Sequence, residues 1–285
     1  MKNDKIIWVF FGTSAFSVII LDALKAEGFL PILIVTVEDK PKGRKLVMTA
    51  PETKVWAKRE GIKYIQPKTL RKQEVLDEIK SFSPSGFDVF ITASYGKIIP
   101  QNILDLPKHK TINVHPSLLP KLRGASPIQS AILSENETGV SILVVDAEVD
   151  HGPIIAQKKI GVEWPPYAET LEKTLGEIGG KLLADLLPDW ISAKIKEREQ
   201  NHALATFCKK IEKTDGEINF INSPEQNLRK IRAYQIWPGA YFFNNGKRVI
   251  IKKAYIENGE LILDRIVPEG RKEMSYKDYL KGNKG

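Results

Sequence analysis

The chain has 285 residues, 42% hydrophobic and 27% charged, with a formal net charge of +8. That composition is ordinary for a globular protein and leaves room for one large or two medium domains. A single cysteine, Cys208, excludes an intramolecular disulfide framework, and the short N-terminal apolar run excludes a membrane span there, so a cytoplasmic protein with no membrane partner is expected.

Residues 6–11 are predicted as a first strand running into Gly12-Thr13-Ser14, with Ser14 capping a helix through Glu27. Residues 30–37 read as a second buried strand. Residues 50–60 and 70–81 read as helices flanking a short strand near Tyr64. Residues 88–92 and 111–115 read as further strands. Strands separated by helical segments argue an α/β fold with a Rossmann-like, mostly parallel sheet and helices on both faces. The first turn carries only Gly12 in place of G-x-G-x-x-G, which weakens any dinucleotide-binding interpretation.

After His115 the pattern changes. Pro116-Ser-Leu-Leu-Pro120 cannot continue a ladder and reads as a loop. Ser126, Pro127 and Gln129 are N-cap, N1 and N3 signals for a helix to Ser134, with a capping box expected. Residues 139–145 and 153–160 are apolar runs joined by a turn containing Asp150 and Gly152, predicted as an antiparallel pair. Residues 167–190 read as a long helix with Gly176, Gly179 and Gly180 in its middle, ending around Pro188. Strand-like runs at 218–221, 241–243, 248–255 and 260–267, a helix at 224–234 and two Asn-Gly turns suggest a small OB-like β-barrel. The domains expected are therefore 1–190, a polar linker at 191–203 and a C-terminal barrel at 204–285.

Charge is uneven between these parts. Residues 1–190 carry 24 Lys/Arg against 23 Asp/Glu, whereas residues 191–285 carry 19 against 12. Such asymmetry suggests a polyanion on the C-terminal part, although a solvated basic surface gives the same count. The chemistry concentrates elsewhere. Asn113 and His115 lie two apart on a strand and share a face, and Asp150 follows in a turn. An amide donor, an imidazole and a carboxylate can hold a tetrahedral oxyanion and take a proton from an attacking amine. Singly, the first two could merely satisfy backbone groups at a strand end, and Asp150 could be only a turn former. His151 beside Asp150 raises a metal site, but four His and one Cys give no closed ligand set, so none is expected.

The segment from Ile112 to Gln129, with Glu137-Thr-Gly-Val-Ser141 and Asp150-His-Gly-Pro153, closely resembles the formyltransferases that use 10-formyltetrahydrofolate. Within that superfamily it looks most like the methionyl-tRNA formyltransferases. The resemblance extends over nearly the whole chain, through Phe11-Gly-Thr13, Ala93-Ser-Tyr-Gly-Lys-Ile-Ile-Pro100 and the tail from Ile231 to Tyr241. It implies Asn113, His115 and Asp150 as catalytic residues. It also implies folate contacts from Ser117, Leu118, Leu119, Pro120, Tyr95, Gly96 and Ile98. Lys40, Lys42, Arg44 and Lys45 resemble an insertion that engages the acceptor arm of initiator methionyl-tRNA, and Arg229, Arg232 and Lys252 are further tRNA candidates on the tail. The protein is expected to be a monomer and to need no metal. One departure is Pro153, where bacterial members often carry Asp. Alternatives are an amino-sugar nucleotide N-formyltransferase, a purine-pathway formyltransferase, a formate-releasing hydrolase acting on the same folate, and a non-catalytic RNA-binding protein with a vestigial formyltransferase domain.

Overall fold

A computed structural model of the chain describes residues 6–43 and 46–282. The first half runs β1 (Trp8–Gly12), α1 (Ala15–Ala26), β2 (Leu33–Val35), β3 (Lys40–Lys42), β4 (Val47–Thr49), α2 (Glu52–Glu60), β5 (Lys63–Ile65), α3 (Gln73–Ser81), β6 (Val89–Ala93), α4 (Gln101–Leu104) and β7 (Thr111–His115). It continues through β8 (Arg123–Gly124), α5 (Pro127–Ser134), β9 (Thr138–Val144), β10 (Ile154–Ile160), α6 (Ala168–Ile191) and β11 (Phe207–Cys208). The last part is α7 (Pro224–Ala233), β12 (Tyr241–Asn244), β13 (Lys247–Glu257), β14 (Glu260–Pro268), β15 (Met274–Ser275) and α8 (Tyr276–Gly282). Among the described residues no helix is long and apolar enough to cross a membrane.

Seven strands form one sheet in the order β10-β9-β7-β6-β1-β2-β5. The pairs β1·β2, β1·β6, β2·β5 and β6·β7 are parallel, and β9 runs antiparallel to β7. Every residue of β1 and β6 is buried, as strands covered on both faces require. The strand order reverses between β1 and β6, since β2 and β5 add on one side and β7 on the other. Parallel sheets open a crevice at such a switch point, beyond the carboxyl ends of the strands.

The carboxyl ends of β1 and β6 are tied together there by Ser17 of α1. Its hydroxyl donates to the Ala93 carbonyl at 2.6 Å and accepts from the N–H groups of Thr13 and Ser14. Ser14 occupies the N-cap, as expected, but Ser17 supplies the capping oxygen. A Cβ on Gly12 would lie 2.8 Å from the Ser17 oxygen, so only glycine admits this contact.

Helix α6 covers the sheet face opposite Asn113 and His115. A Cβ on Gly179 would come within 2.9 Å of Val114, and one on Gly180 within 2.6 Å of Ala23 in α1. The helix runs past Pro188 to Ile191, further than the proline suggests. Trp190 explains the extension: its ring is buried and its indole N–H donates to the His109 carbonyl at 2.8 Å, which offsets the missing backbone bond.

The chain divides into two compact units. The first takes in the chain to Arg123, Gly139–Lys159 and Lys173–Phe207; the second takes in Gly124–Thr138, Ile160–Glu172 and the chain from Cys208. In the second unit β12-β13-β14-β15 form a four-stranded antiparallel sheet where the barrel was expected. Both Asn-Gly pairs form two-residue turns with positive φ at Asn245, Gly246, Asn258 and Gly259, the conformation that matches strand twist. Helix α7 is capped by Ser223, which accepts from the Gln226 N–H, and it buries Leu228 and Ile231 against Val249, Ile251 and Ile266. Two expectations fail here. Residues 218–221 form no strand, and only Glu217 bridges to Tyr241. Ser126 stands at the N-cap of α5 but forms no capping box, because its hydroxyl donates to the Lys209 carbonyl at 2.6 Å.

Replacing Ser17 by alanine leaves two N–H groups and a carbonyl without their shared partner. We expect it to cost about 1–3 kcal/mol of stability, read from the midpoint of urea unfolding.

Candidate functional site

Strand β7 is buried except at Asn113, which is partly exposed. Residue Val114 points to α6, so Asn113 and His115 face the other way together. The turn after β9 brings Asp150 over them. The Asn113 Nδ2 donates to Asp150 Oδ1 at 3.2 Å, and His115 Nδ1 lies 3.4 Å from that same oxygen. The His115 side chain is 4% exposed and the Asp150 side chain 11%. Three residues from two distant segments therefore converge on one carboxylate oxygen in a nearly dry setting.

Each side chain is oriented by a further partner. Thr92 is paired with Asn113 in register across β6 and β7, and its hydroxyl donates to Asn113 Oδ1 at 2.8 Å. This turns the amide's hydrogens toward Asp150. One of them is used by the carboxylate; the amide carries a second. His115 Nε2 lies 3.0 Å from the Leu122 carbonyl, which can only accept, so that nitrogen carries a hydrogen. Asp150 itself sits at φ 51°, in the left-handed region.

The expected folate segments are built differently from one another. Ser117 and Leu119 are buried and tied to β9: Ser117 O accepts from the Ser141 hydroxyl at 2.7 Å, and Leu119 N–H donates to it at 3.0 Å. Gln157 donates to the Leu119 carbonyl at 2.9 Å. Leu118 packs over Gly139, where a Cβ would come within 2.6 Å of it, and Pro120 is partly exposed. In the other segment Gly96 and Ile98 are exposed, Ile98 at 76%. Tyr95 instead turns its ring into the core against Phe11, and burial raises its phenol well above the ordinary range. Its hydroxyl finds no partner among the described residues, and its ring faces core rather than crevice. The first segment is thus fixed to β9 through its own backbone groups, whereas the second leaves Gly96 and Ile98 open.

The expected nucleic-acid residues separate into two groups. Lys40 and Lys42 are exposed on β3, which pairs with β4 in a hairpin whose Leu46, Val47 and Met48 are also exposed. Lys42 makes a surface ion pair with Glu52 at 3.0 Å, and Lys252 is exposed on β13. Arg44 and Lys45 lie outside the described residues. Arg229 and Arg232 are engaged within the second unit. Arg229 donates to the carbonyls of Ile132 and Glu135 at the end of α5 and to Asn136, while Arg232 donates to the Pro165 carbonyl and lies over the Tyr167 ring. These guanidiniums close helix and loop ends.

His151 pairs with Asp146 at 2.7 Å and stacks on His202 with ring centroids 4.1 Å apart. Among the described residues no group of three His, Cys, Asp or Glu is placed to hold a metal. Sequence reasoning missed Thr92 and Gln200. Thr92 could have been found from its place at the end of the neighbouring strand; Gln200 carries no such signal.

The formyl transferase family matches residues 4–187, and the formyl transferase C-terminal domain matches residues 210–262. A protein of Thermodesulfovibrio yellowstonii named methionyl-tRNA formyltransferase is 36% identical over 298 residues, covering 97% of this chain and 96% of that one. One of the same name from Halalkalibacterium halodurans is 36% identical over 96% of this chain and 94% of its own. Among solved structures, a methionyl-tRNA formyltransferase from Clostridium thermocellum is similar with a TM-score of 0.60 at 17% identity, covering 92% of this chain and 98% of that one. An N-formyltransferase from Helicobacter canadensis, in complex with folinic acid and dTDP-3-aminofucose, gives 0.66 at 18% identity over 95% and 98%.

Replacing Thr92 by valine keeps the shape but removes the donor that orients Asn113. Any activity that uses this amide as a preorganised donor should slow roughly 10- to 100-fold in kcat. Thermal unfolding should change little.

Proposed function

The chain belongs to the formyl transferase family, and from that premise we propose that it transfers a formyl group from 10-formyltetrahydrofolate to the α-amino group of methionine on initiator methionyl-tRNA. The observation that carries the catalytic assignment is the meeting of Asn113 Nδ2 and His115 Nδ1 on Asp150 Oδ1. Similarity over nearly the whole chain to proteins named methionyl-tRNA formyltransferase supports the acceptor.

In this reading the amine adds to the formyl carbon, and the carbonyl oxygen gains charge. Asn113 offers its second amide hydrogen to that oxygen, and the His115 ring beside it is the second stabilising group; burial makes such interactions stronger than they are in water. Asp150 accepts the proton released by the amine, which then leaves with the folate nitrogen as the carbon–nitrogen bond breaks. An α-amino group titrates near about 7.7–8.0, so a useful share is already the free base at neutral pH. No covalent enzyme intermediate is needed. The 117–120 and 93–100 segments are assigned to the folate, with the exposed Gly96 and Ile98 toward it. Leu118 and Pro120 supply the apolar wall, Ser117 and Leu119 hold that loop to β9, and Tyr95 supports the second segment from the core.

The acceptor arm of the tRNA is assigned to the β3–β4 hairpin, with Lys40 and Lys42 toward phosphates; Arg44 and Lys45 are assigned to the same RNA from the sequence alone. The Lys42–Glu52 pair is solvent-exposed and contributes little, so it yields readily to a phosphate. On the second unit Lys252 is the assigned contact. Arg229 and Arg232 keep the surrounding backbone in place.

The test is an assay of purified protein with 10-formyltetrahydrofolate against methionyl-tRNA, free methionine and an amino-sugar nucleotide. Formylation of methionyl-tRNA alone is expected. Turnover of the sugar nucleotide in its place would move the chain to the sugar enzymes, and RNA binding without turnover would make the domain vestigial. Asp150→Ala should lower kcat roughly 100- to 10,000-fold while methionyl-tRNA binding persists. Lys40→Ala combined with Lys42→Ala should weaken tRNA affinity and flatten its salt dependence by about one unit of slope for each phosphate that is no longer neutralised. Folate affinity should stay unchanged.

A further inference from the structure

We propose that Gln200, in the aperiodic stretch after α6, is a positioning residue that sets the Asp150 carboxylate for proton transfer; the proposal rests on the catalytic assignment of Asp150 above. Gln200 is 5% exposed although its neighbours in sequence are polar and exposed. Its Nε2 donates to the Asp150 carbonyl at 2.9 Å and the Gly152 carbonyl at 2.7 Å, and its Oε1 accepts from Arg123 Nη2 at 2.7 Å. Only one orientation of the amide fits, because carbonyls only accept and a guanidinium only donates. Both amide hydrogens are spent on the turn that carries Asp150.

That turn needs holding. Asp150 lies at φ 51°, a left-handed conformation that a non-glycine residue keeps most securely where its surroundings hold it. From one side the Val144 carbonyl presses on Gly152, where a Cβ would come within 2.0 Å of it. From the other side Gln200 binds both flanking carbonyls. Arg123 is the anchor behind it: it is 3% exposed, its backbone N–H donates to the Thr206 carbonyl at 2.9 Å, and its guanidinium also meets His202 Nδ1 at 2.9 Å. With the backbone at 150 and 152 fixed, the carboxylate has little freedom to leave Asn113 and His115.

Gln200→Glu separates these contacts. The carboxylate retains the guanidinium but presents an acceptor to two carbonyls, so the turn is repelled. In the intact protein with 10-formyltetrahydrofolate and methionyl-tRNA, kcat should fall roughly 10- to 100-fold, the loss typical of an ångström-scale misplacement. The KM for folate should stay within about twofold, since its assigned loops are untouched. In an Asp150→Asn background, measured by single turnover, Gln200→Glu should produce no further loss, because a residue acting through Asp150 has nothing left to position. Wild-type kcat in folded Gln200→Glu protein would overturn the proposal, as would an equal loss in both backgrounds. Full activity of Asp150→Asn alone would overturn the parent assignment and this one with it. Should Gln200→Glu not fold, Gln200→Met keeps the volume, removes both donors and is judged by the same outcomes.

Discussion

A carboxylate removed from water must be held by donors, or it neutralises or turns back to solvent. Asp150 meets that demand through Asn113 and His115 on a single oxygen, and most of the first unit serves the meeting. Parallel pairing of β6 and β7 puts Thr92 beside Asn113. Antiparallel β9 lies against β7, with Ser141 opposite His115, and its following turn returns over the face it has just left. Gly179 lets α6 sit close behind Val114, so the strand carrying both donors has a rigid back. None of these contacts is itself chemical, yet each removes a way for the three groups to drift apart.

The cations follow a different logic. Arginines with planar, five-donor heads are used where several acceptors must be collected at once, as Arg229 does with the carbonyls at the end of α5 and Arg123 does with Gln200 and His202 beside the Asp150 turn. Lysines are left on the exposed hairpin and on β13, where a compact charge on a flexible stem suits a phosphate backbone. A count of basic residues cannot separate these uses. The excess of positive charge in the C-terminal part is partly scaffold.

What could be read from residues alone follows from how local the determinants are. The strand Thr111–His115 was legible to the residue because an apolar run meets Pro116, and proline ends the ladder. The Asn245-Gly246 and Asn258-Gly259 turns were legible because only such residues tolerate positive φ at both positions. Where a distant group intervenes, local signals mislead. Ser126 has every mark of a capping box, but the Lys209 carbonyl, 83 residues away, takes its hydroxyl. Gln200 was hidden most completely: a polar residue in a polar run reads as solvated, and its partners lie 48, 50 and 77 residues back. Asn113, His115 and Asp150 were visible only as types in a spacing, and the family resemblance joined them.

The position of Gln200 has a consequence for synthesis on the ribosome. The seven-stranded sheet is complete in sequence once Ile160 has emerged, and domains commonly begin to fold from the N-terminal side as they appear. At that length the clamp on the carbonyls of Asp150 and Gly152 does not yet exist, and it arrives only after the 24 residues of α6 and the stretch behind it. A nascent chain can thus own its hydrophobic core before it owns a fixed active-site turn.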